Sequence, residues 1–176
     1  MKTAKEIAVL GVFVALLIGG QFILSGVAGV EVVTVLVVSF CFYFGVLRGT
    51  IVATAFSLLR CFIFGFFANV IVLYLLYYNL IAVLFGLIGK AFNKTVNVKK
   101  LILVVIVAIL STIVFNFIDV GLTYVFYGFT FKALKVYFVA SIPTVITQII
   151  CVTVTVSLLF IPLIKIYKTI KITEKS

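Results

Sequence analysis

Six long apolar segments, separated only by short breaks, make up most of this chain of 176 residues. They cover residues 7–24, 30–47, 50–67, 69–91, 101–127 and 136–166. A helix rises about 1.5 Å per residue, so about 20 apolar residues cross the hydrocarbon core of a bilayer. The segments are continuously apolar and do not alternate with polar residues, which excludes a transmembrane β-barrel. The sequence therefore predicts an all-α integral membrane protein, a single domain built as a six-transmembrane-helix bundle.

The composition excludes a soluble protein. Hydrophobic residues make up 66% of the chain, charged residues make up 10%, and the mean hydropathy is +1.48. Soluble domains are close to half apolar and a quarter charged, so a soluble fold of this size cannot bury so much apolar surface. The N-terminal lysines followed by an apolar run resemble a secretory signal peptide. That run continues to Leu24 and five further segments follow it, which favours a first transmembrane helix.

Lysine and arginine indicate the orientation, because they are enriched in cytoplasmic loops. With a cytosolic N-terminus and six spans, eleven basic residues fall on the cytosolic side: Lys2, Lys5, Arg48, Lys90, Lys94, Lys99, Lys100, Lys165, Lys168, Lys171 and Lys175. The outer side holds Lys132 and Lys135. The bias predicts that both termini are cytosolic, with a basic tail at residues 167–176. The net charge of +10 is then an orientation signal and a contact with anionic lipid, not a nucleic-acid interface.

Two ionisable residues fall inside predicted spans. Arg60 lies in the third span and Asp119 lies in the fifth, both in the predicted outer half. An ionisable residue at the centre of a span costs about 2.5–3.5 kcal/mol on insertion scales, so it is usually functional or paired. Arg60 and Asp119 therefore either form a structural ion pair or line a binding site.

Polar residues at helical spacing extend this candidate site. Thr112, Asn116, Asp119, Thr123 and Tyr127 are three or four residues apart, and Thr144, Gln148, Cys151 and Thr155 repeat the pattern in the last span. The candidate substrate-binding residues are Glu31, Arg60, Asn116, Asp119, Thr123, Tyr127, Thr144 and Gln148. The alternative is structural: polar stripes also hydrogen-bond neighbouring helices, and Glu31 lies near the interface, where burial costs little.

The first span carries a stripe of small residues. Ala4, Ala8, Gly11, Ala15 and Gly19 follow one another at three- or four-residue spacing. In lipid, helices associate by close packing, and small residues let two backbones approach. The stripe predicts either internal helix packing or a surface for a partner helix.

Few groups that carry out catalysis are available. The chain contains no histidine, and the P-loop, HExxH and GxSxG motifs are missing. Cys41, Cys61 and Cys151 lie inside apolar segments without CxxC spacing, which is typical of small buried side chains. The sequence therefore predicts that the chain is not an enzyme and holds no metal and no cofactor of its own.

Two stretches resemble the substrate-binding S component of energy-coupling factor (ECF) transporters. The first, IAVLGVFVALLIGGQFILS at residues 7–25, is similar to the first helix of that family, with Gly11 and Ala15 at the two alanines of its AxxxA motif. The second, GVEVVTVLVVSFCFYFGVLRGTIVATAF at residues 29–56, contains an FGxxxG pattern from Phe44 to Gly49. This pattern resembles the short link between the second and third helices of the family. These motifs cover about the first third of the chain, and the length and spans are similar throughout.

The resemblance implies a high-affinity binding subunit for uptake of a vitamin or related micronutrient, embedded in a bacterial cell membrane. Such a subunit has no ATPase; it docks on a transmembrane coupling subunit that carries two cytosolic ATPases, which use ATP, and it topples in the membrane to deliver its ligand. Gly11 and Ala15, flanked by Ala8 and Gly19, would form the coupling surface. Two other functions stay open. One is a rod-shape or divisome-type membrane scaffold without a ligand, and the other is a secondary carrier or channel that transports alone.

Overall fold

The computed structural model describes residues 4–27 and 29–170, and this part of the chain is helical, with short connections and no strand. The helices are α1 (Ala4–Leu24), α2 (Val33–Phe44), α3 (Val46–Leu59), α4 (Cys61–Phe64), α5 (Ala68–Ala91), α6 (Val98–Tyr127) and α7 (Phe131–Thr169). Only Arg60 separates α3 from α4. The all-α prediction is confirmed for the described residues.

Five helical stretches are long and apolar enough to cross a membrane, namely α1, α3 with α4, α5, α6 and α7. They fit a multi-pass membrane protein. A helical span over the whole of residues 30–47 is not confirmed, because α2 has 12 residues. It is about 18 Å long, against a hydrocarbon core of about 30 Å. Its start is delayed because the backbone of Glu31 is hydrogen-bonded to Cys151 of α7 instead of continuing a helix.

Side-chain contacts show that successive segments alternate in direction. Phe13 stacks on Phe40 while Gly20 lies against Val32, so α1 and α2 are antiparallel. Contacts between α3 and α5, α5 and α6, and α6 and α7 give antiparallel neighbours in the same way. The described ends of α1 and α7 therefore lie at the same end of the bundle. We call this the inner end and the opposite one the outer end, after the orientation predicted from the lysines.

Helix α2 forms the centre of the bundle. Ten of its side chains are buried: Val33, Thr34, Val35, Val37, Val38, Ser39, Phe40, Cys41, Phe42 and Phe44. A helix that is apolar all round lies either in a protein core or against lipid, and the burial of these ten side chains places α2 in the core. It packs against α5, α7 and α3, and more lightly against α1. The short helix is therefore surrounded by the longer ones and ends inside the bundle on the outer side.

Glycines on α5 let the turn between α2 and α3 approach closely. This turn lies at Gly45, where φ is +86°, and not at Arg48 and Gly49, which the breaks in the sequence predicted and which lie in α3. A Cβ on Gly86 would lie 2.7 Å from the backbone nitrogen of Val46. A Cβ on Gly89 would collide with the carbonyl group of Phe42. Neither site can relax by moving a flexible side chain, because backbone forms the opposing surface.

We expect Gly89→Ala to lower the free energy of unfolding by about 2–3 kcal/mol, because overpacking against a backbone carbonyl forces the helices apart. The matched control is Gly121→Ala on α6, where a Cβ would meet no atom within 4 Å. There the better helix propensity of alanine should raise stability by up to about 1 kcal/mol. Thermal unfolding in detergent measures both, and equal melting temperatures for the two variants would contradict this packing.

Helix α6 begins three residues before its predicted segment, and α7 extends beyond its predicted segment by five residues at its start and three at its end. Helix α6 has 30 residues and α7 has 39, so they are about 45 and 58 Å long. Pro143 and Pro162 favour a kink or a helix end at their positions, but both lie inside one continuous helix. Helix α7 includes residues 167–169 of the predicted basic tail, and residues 171–176 lie outside the described part. Lys2, Lys171 and Lys175 of the orientation count also lie outside it.

Candidate functional site

A small polar cavity lies at the outer end of α2. Its volume is about 40 Å³, and it is lined by Glu31, Tyr74, Tyr77, Tyr78, Thr112, Phe115 and Gln148. These residues come from the segment before α2 and from α5, α6 and α7. A volume of this size holds one or a few water molecules. Two of the eight predicted site residues, Glu31 and Gln148, line this cavity directly.

Distances along the helices explain why these residues meet. Val33 is eleven residues from the inner end of α2, Tyr77 is fourteen residues from that of α5, and Thr112 is fourteen residues from that of α6. At about 1.5 Å per residue, all three lie about 16–21 Å from the inner ends of their helices. The break at Arg60, fourteen residues into α3, lies at the same level. The cavity is therefore in the middle to outer part of the bundle.

Glu31 is held by contacts on both sides. Its carboxylate accepts a hydrogen bond of 2.6 Å from Thr34 Oγ1, in the first turn of α2. Its backbone N–H donates to Cys151 Sγ at 3.3 Å, and that thiol donates to the Glu31 carbonyl at 3.1 Å. Cys151 is thus a hydrogen-bonding group, not the purely apolar side chain that the sequence predicted. Gly29, with φ of +81°, brings the same segment against Thr147 of α7.

Arg60 is buried, with 7% of its surface exposed, and it contacts two residues that the sequence did not assign to the site. Its Nε donates to Gln21 Oε1 at 3.0 Å, and Gln21 Nε2 donates to the Tyr74 hydroxyl at 2.9 Å. The guanidinium carbon lies 3.9 Å from the centroid of the Tyr74 ring, a close cation–π contact. Tyr74 also lines the cavity, so Arg60 belongs to the cavity wall without lining the cavity itself.

Asp119 does not pair with Arg60. Its Oδ2 accepts a hydrogen bond of 2.7 Å from the Tyr137 hydroxyl. Within residues 4–27 and 29–170 the ion pair recorded is Arg48 with Glu6, at 2.8 Å near the inner end. The structural ion pair between Arg60 and Asp119, one of the two alternatives from the sequence, is not formed in this conformation. Asp119 is half-buried, about two helical turns closer to the outer end than Thr112.

The two polar stripes of α6 and α7 face each other over part of their length. Asn116 Nδ2 donates to Gln148 Oε1 at 3.0 Å and to the carbonyl of Thr112 at 2.9 Å. Within the described residues, every buried side-chain nitrogen and oxygen has a hydrogen-bond partner. Asn116 thus holds Gln148 at the cavity, without lining it itself.

The remaining predicted residues lie farther out. Thr123 is buried on α6, and Thr144 is half-buried on α7, where its carbonyl lies close to Gly29. Tyr127 is 55% exposed at the outer end of α6, and its hydroxyl donates to Asn69 Oδ1 at 3.2 Å. The structure therefore separates the eight residues into cavity, cavity wall and outer rim.

Sequence reasoning missed some residues of this cluster. Tyr137 was assigned to the start of the last span, and nothing in its spacing connects it with Asp119. Gln21 is a polar residue in an apolar segment, but its partners Arg60 and Tyr74 are 39 and 53 residues away along the chain. Tyr74, Tyr77 and Tyr78 could not be assigned to the site from the sequence, because tyrosine is common at membrane interfaces.

The small-residue stripe of α1 faces away from the bundle. Ala8, Gly11 and Ala15 are exposed, Gly19 is half-buried, and a Cβ on either glycine would meet no atom within 4 Å. The opposite face of α1 packs into the core through Leu10, Phe13, Val14 and Leu17. Beside the stripe, α1 and α3 enclose an apolar groove of about 320 Å³ that includes Gly11 and Ala15. The small residues therefore do not serve internal packing at these positions.

Comparison of the chain with protein-family models gives no match, and comparisons with curated proteins and with solved structures give no significant match either. The described residues also contain no group of three or more histidine, cysteine, aspartate or glutamate side chains that could hold a metal ion.

Proposed function

We propose that this protein is the substrate-binding S component of an ECF-type transporter, in a bacterial cell membrane. It binds a vitamin or related micronutrient from outside and passes it to a transmembrane coupling subunit with two cytosolic ATPases. In this proposal α2 and the residues before it complete a sixth crossing, and both termini are cytosolic. The chain is not an enzyme, and ATP is used by its partners.

The observation that carries the proposal is that three charged residues inside the bundle have no ion-pair partner among the described residues. Arg60, Glu31 and Asp119 all lie between its middle and its outer end, and none of them is in an ion pair with another described residue. Charges inside a membrane protein are costly unless they are paired or serve a function. A charged or zwitterionic ligand supplies the missing counter-charges, and the tyrosines around the cavity can stack on a ring.

The size of the cavity requires a change on binding. Sites for small organic ligands have volumes of about 300–1,000 Å³, against about 40 Å³ here. In this proposal the structure is therefore a closed conformation, and the cavity has to widen to accept the ligand. Residues 29–32 are the part of the wall that moves in this proposal. They are non-helical, and the hydrogen bonds that join them to α7 are those between Glu31 and Cys151.

The open face of α1 supports the second half of the proposal. An S component needs a membrane-exposed surface on which the coupling subunit packs closely. Gly11 and Ala15, with Ala8 and Gly19 on either side, provide such a surface, and the adjoining groove between α1 and α3 has room for side chains of a partner helix.

Replacing Asp119 by asparagine should lower ligand affinity by about fivefold and leave folding nearly unchanged. The amide oxygen can still accept the hydrogen bond from Tyr137, so only the charge is lost, worth about 1 kcal/mol at this partly exposed position. The ligand retained per mole of purified protein, measured by mass spectrometry after graded washing, gives the affinity change. Loss of folded protein in place of lost affinity would show that Asp119 is structural.

Reconstitution tests whether this chain only binds the ligand while the partner subunits drive its transport. Liposomes that contain this chain alone should bind the ligand without accumulating it, and uptake should appear only with the coupling subunit, both ATPases and ATP. Uptake by the chain alone would establish a secondary carrier. An absence of any retained ligand, together with cell-wall or division proteins as partners, would establish the scaffold.

A further inference from the structure

A second, larger cavity lies at the inner end of the bundle, away from the candidate substrate site. Its volume is about 560 Å³. The wall is formed by the turn between α2 and α3, the last turns of α5 and the residues that follow α5: Phe42, Phe44, Gly45, Val46, Arg48, Gly86, Leu87, Gly89, Lys90, Asn93 and Lys94. It is open on one side, so it is a recess in the surface rather than an enclosed void.

The charged residues of this recess are basic. Arg48, Lys90 and Lys94 line it, and the acidic side chain known to contact one of them is Glu6, whose carboxylate accepts from Arg48 Nε at 2.8 Å. That bond uses one of the five N–H donors of the guanidinium group. Lys90 is exposed, and the ammonium of Lys94 lies 5.6 Å from the ring centroid of Tyr43. Arg48, Lys90 and Lys94 thus place three basic side chains around one recess.

A tight turn of the backbone after α5 places Lys94 at this recess. Asn93 and Lys94 both have positive φ, at 50° and 55°. Asparagine adopts this left-handed conformation fairly readily, whereas a lysine does so rarely. The N–H of Lys94 donates to the carbonyl of Gly89 at 2.9 Å, which closes the turn over the end of α5.

An apolar groove begins where the basic recess ends. It lies between α5 and α6, has a volume of about 500 Å³, and includes Leu87, which also lines the recess. The groove extends along α5 from Leu87 to Tyr77, ten residues or about 15 Å. This is half of a hydrocarbon core of about 30 Å, the depth of one leaflet. Leu80, Leu84 and Leu110 along it are 41–56% exposed, so the groove is open to the surrounding lipid.

From this arrangement we propose that the inner end of the protein binds an anionic phospholipid of the inner leaflet. The phosphate group lies in the recess against Arg48, Lys90 and Lys94. One acyl chain follows the groove between α5 and α6. Basic pockets between transmembrane helices on the cytoplasmic side are suited to anionic headgroups. Because three basic side chains line the recess, a lipid with two phosphodiester groups, such as cardiolipin, should bind more tightly than a singly charged one.

The joined recess and groove distinguish a phospholipid from other anions. A free phosphate would use only the basic recess, and an acidic peptide would not need an apolar groove that is one leaflet deep. A phospholipid needs both parts in this order, with the charges at the membrane surface and the apolar part directed towards the bilayer centre. The groove shares one residue with the proposed substrate site, Tyr77 at its outer end. The basic recess and the variants that test the inference lie at other positions, so the inference stands or fails independently of the proposed transport function.

Native mass spectrometry of the purified full-length protein, titrated with cardiolipin, phosphatidylglycerol or phosphatidylcholine, tests the proposal. We expect cardiolipin to bind most tightly and phosphatidylcholine most weakly. The Lys90→Gln/Lys94→Gln variant should bind cardiolipin about 25-fold more weakly, which corresponds to about 2 kcal/mol for two lysines at a membrane surface. The matched control is Lys132→Gln/Lys135→Gln, which removes two exposed lysines from the outer end of α7.

A second pair of variants tests the groove. Leu84→Trp fills it and should weaken cardiolipin binding at least fivefold, whereas Leu103→Trp, on an exposed part of α6 outside the groove, should not. Circular dichroism and gel filtration establish that each variant is folded. Equal binding of the three lipids, or an equal loss with both lysine pairs, would overturn the proposal. Displacement of cardiolipin by inorganic phosphate at the same concentration would also overturn it, because phosphate occupies only the recess. So would displacement by an acidic peptide whose own binding is unchanged in Leu84→Trp.

Discussion

Replacing Gly11 and Ala15 together by tryptophan should abolish uptake and leave ligand binding by the isolated protein unchanged. Both positions are exposed on α1, and the space beside Gly11 is open, so two indole rings can be added without disturbing the core. They would project by several ångströms from the face on which the coupling subunit has to pack, where close approach depends on small residues. Uptake by cells, together with the ligand retained by the purified variant, measures the two effects separately.

The matched control for this variant is Val12→Trp/Leu16→Trp. These residues are also on α1 and are 63% and 56% exposed, but they already carry large side chains and lie outside the groove between α1 and α3. This control should keep most of its uptake. Normal uptake by the Gly11 and Ala15 variant would show that these residues do not form the coupling surface. Loss of ligand binding by this variant would show that this face of α1 has another role.

Replacing Arg60 by glutamine is expected to reduce ligand affinity about 100-fold. Removing one partner of a buried, hydrogen-bonded charge pair costs about 2–5 kcal/mol, and 100-fold corresponds to about 2.7 kcal/mol. Arg60 is buried, lies against Tyr74 at the wall of the cavity and has no carboxylate partner among the described residues. The free protein should not lose stability in proportion, because the substitution also removes an uncompensated buried charge. The ligand retained on purification and the melting temperature together measure this.

Lys165→Gln serves as the control for Arg60→Gln. It also removes one positive charge, from an exposed position of α7 near the inner end. It should change neither affinity nor melting temperature. If Arg60→Gln lowers the melting temperature strongly while its ligand occupancy stays at the level of the control, then Arg60 stabilises the bundle through Gln21 and Tyr74 and does not serve the ligand.

Much of the fold could be predicted from hydropathy because the bilayer imposes a length on every crossing. The bounds of α1, α5 and α6 agree with the apolar segments to within three residues at either end. The length of helix α2 could not be predicted in the same way, because α2 is three residues shorter than its apolar segment at each end, whereas α1, α5 and α6 are longer than theirs. Its segment is as apolar as the others, but its first residues form contacts with Cys151, which is 120 residues away. Hydropathy carries no information about such a partner.

One contact between the candidate residues follows from helical spacing, but the other contacts do not. Helical spacing correctly brought Asn116 and Gln148 to facing positions on α6 and α7. It could not show that Asp119 bonds to Tyr137 or that Arg60 bonds to Gln21, since both pairings depend on how neighbouring helices are rotated and shifted. Charge alone favoured Arg60 and Asp119 as partners. Tyr74 lies directly over the guanidinium group and provides a different stabilisation that composition does not reveal.

The central claim is that this chain is the ligand-binding part of a larger ATP-driven assembly. The most direct measurement is mild purification from its native membrane, followed by mass spectrometry of all retained proteins and small molecules. The account predicts one transmembrane coupling subunit, two ATPases and a stoichiometric organic ligand that is lost in Arg60→Gln. Recovery of the chain with cell-wall or division proteins and without a ligand would contradict it.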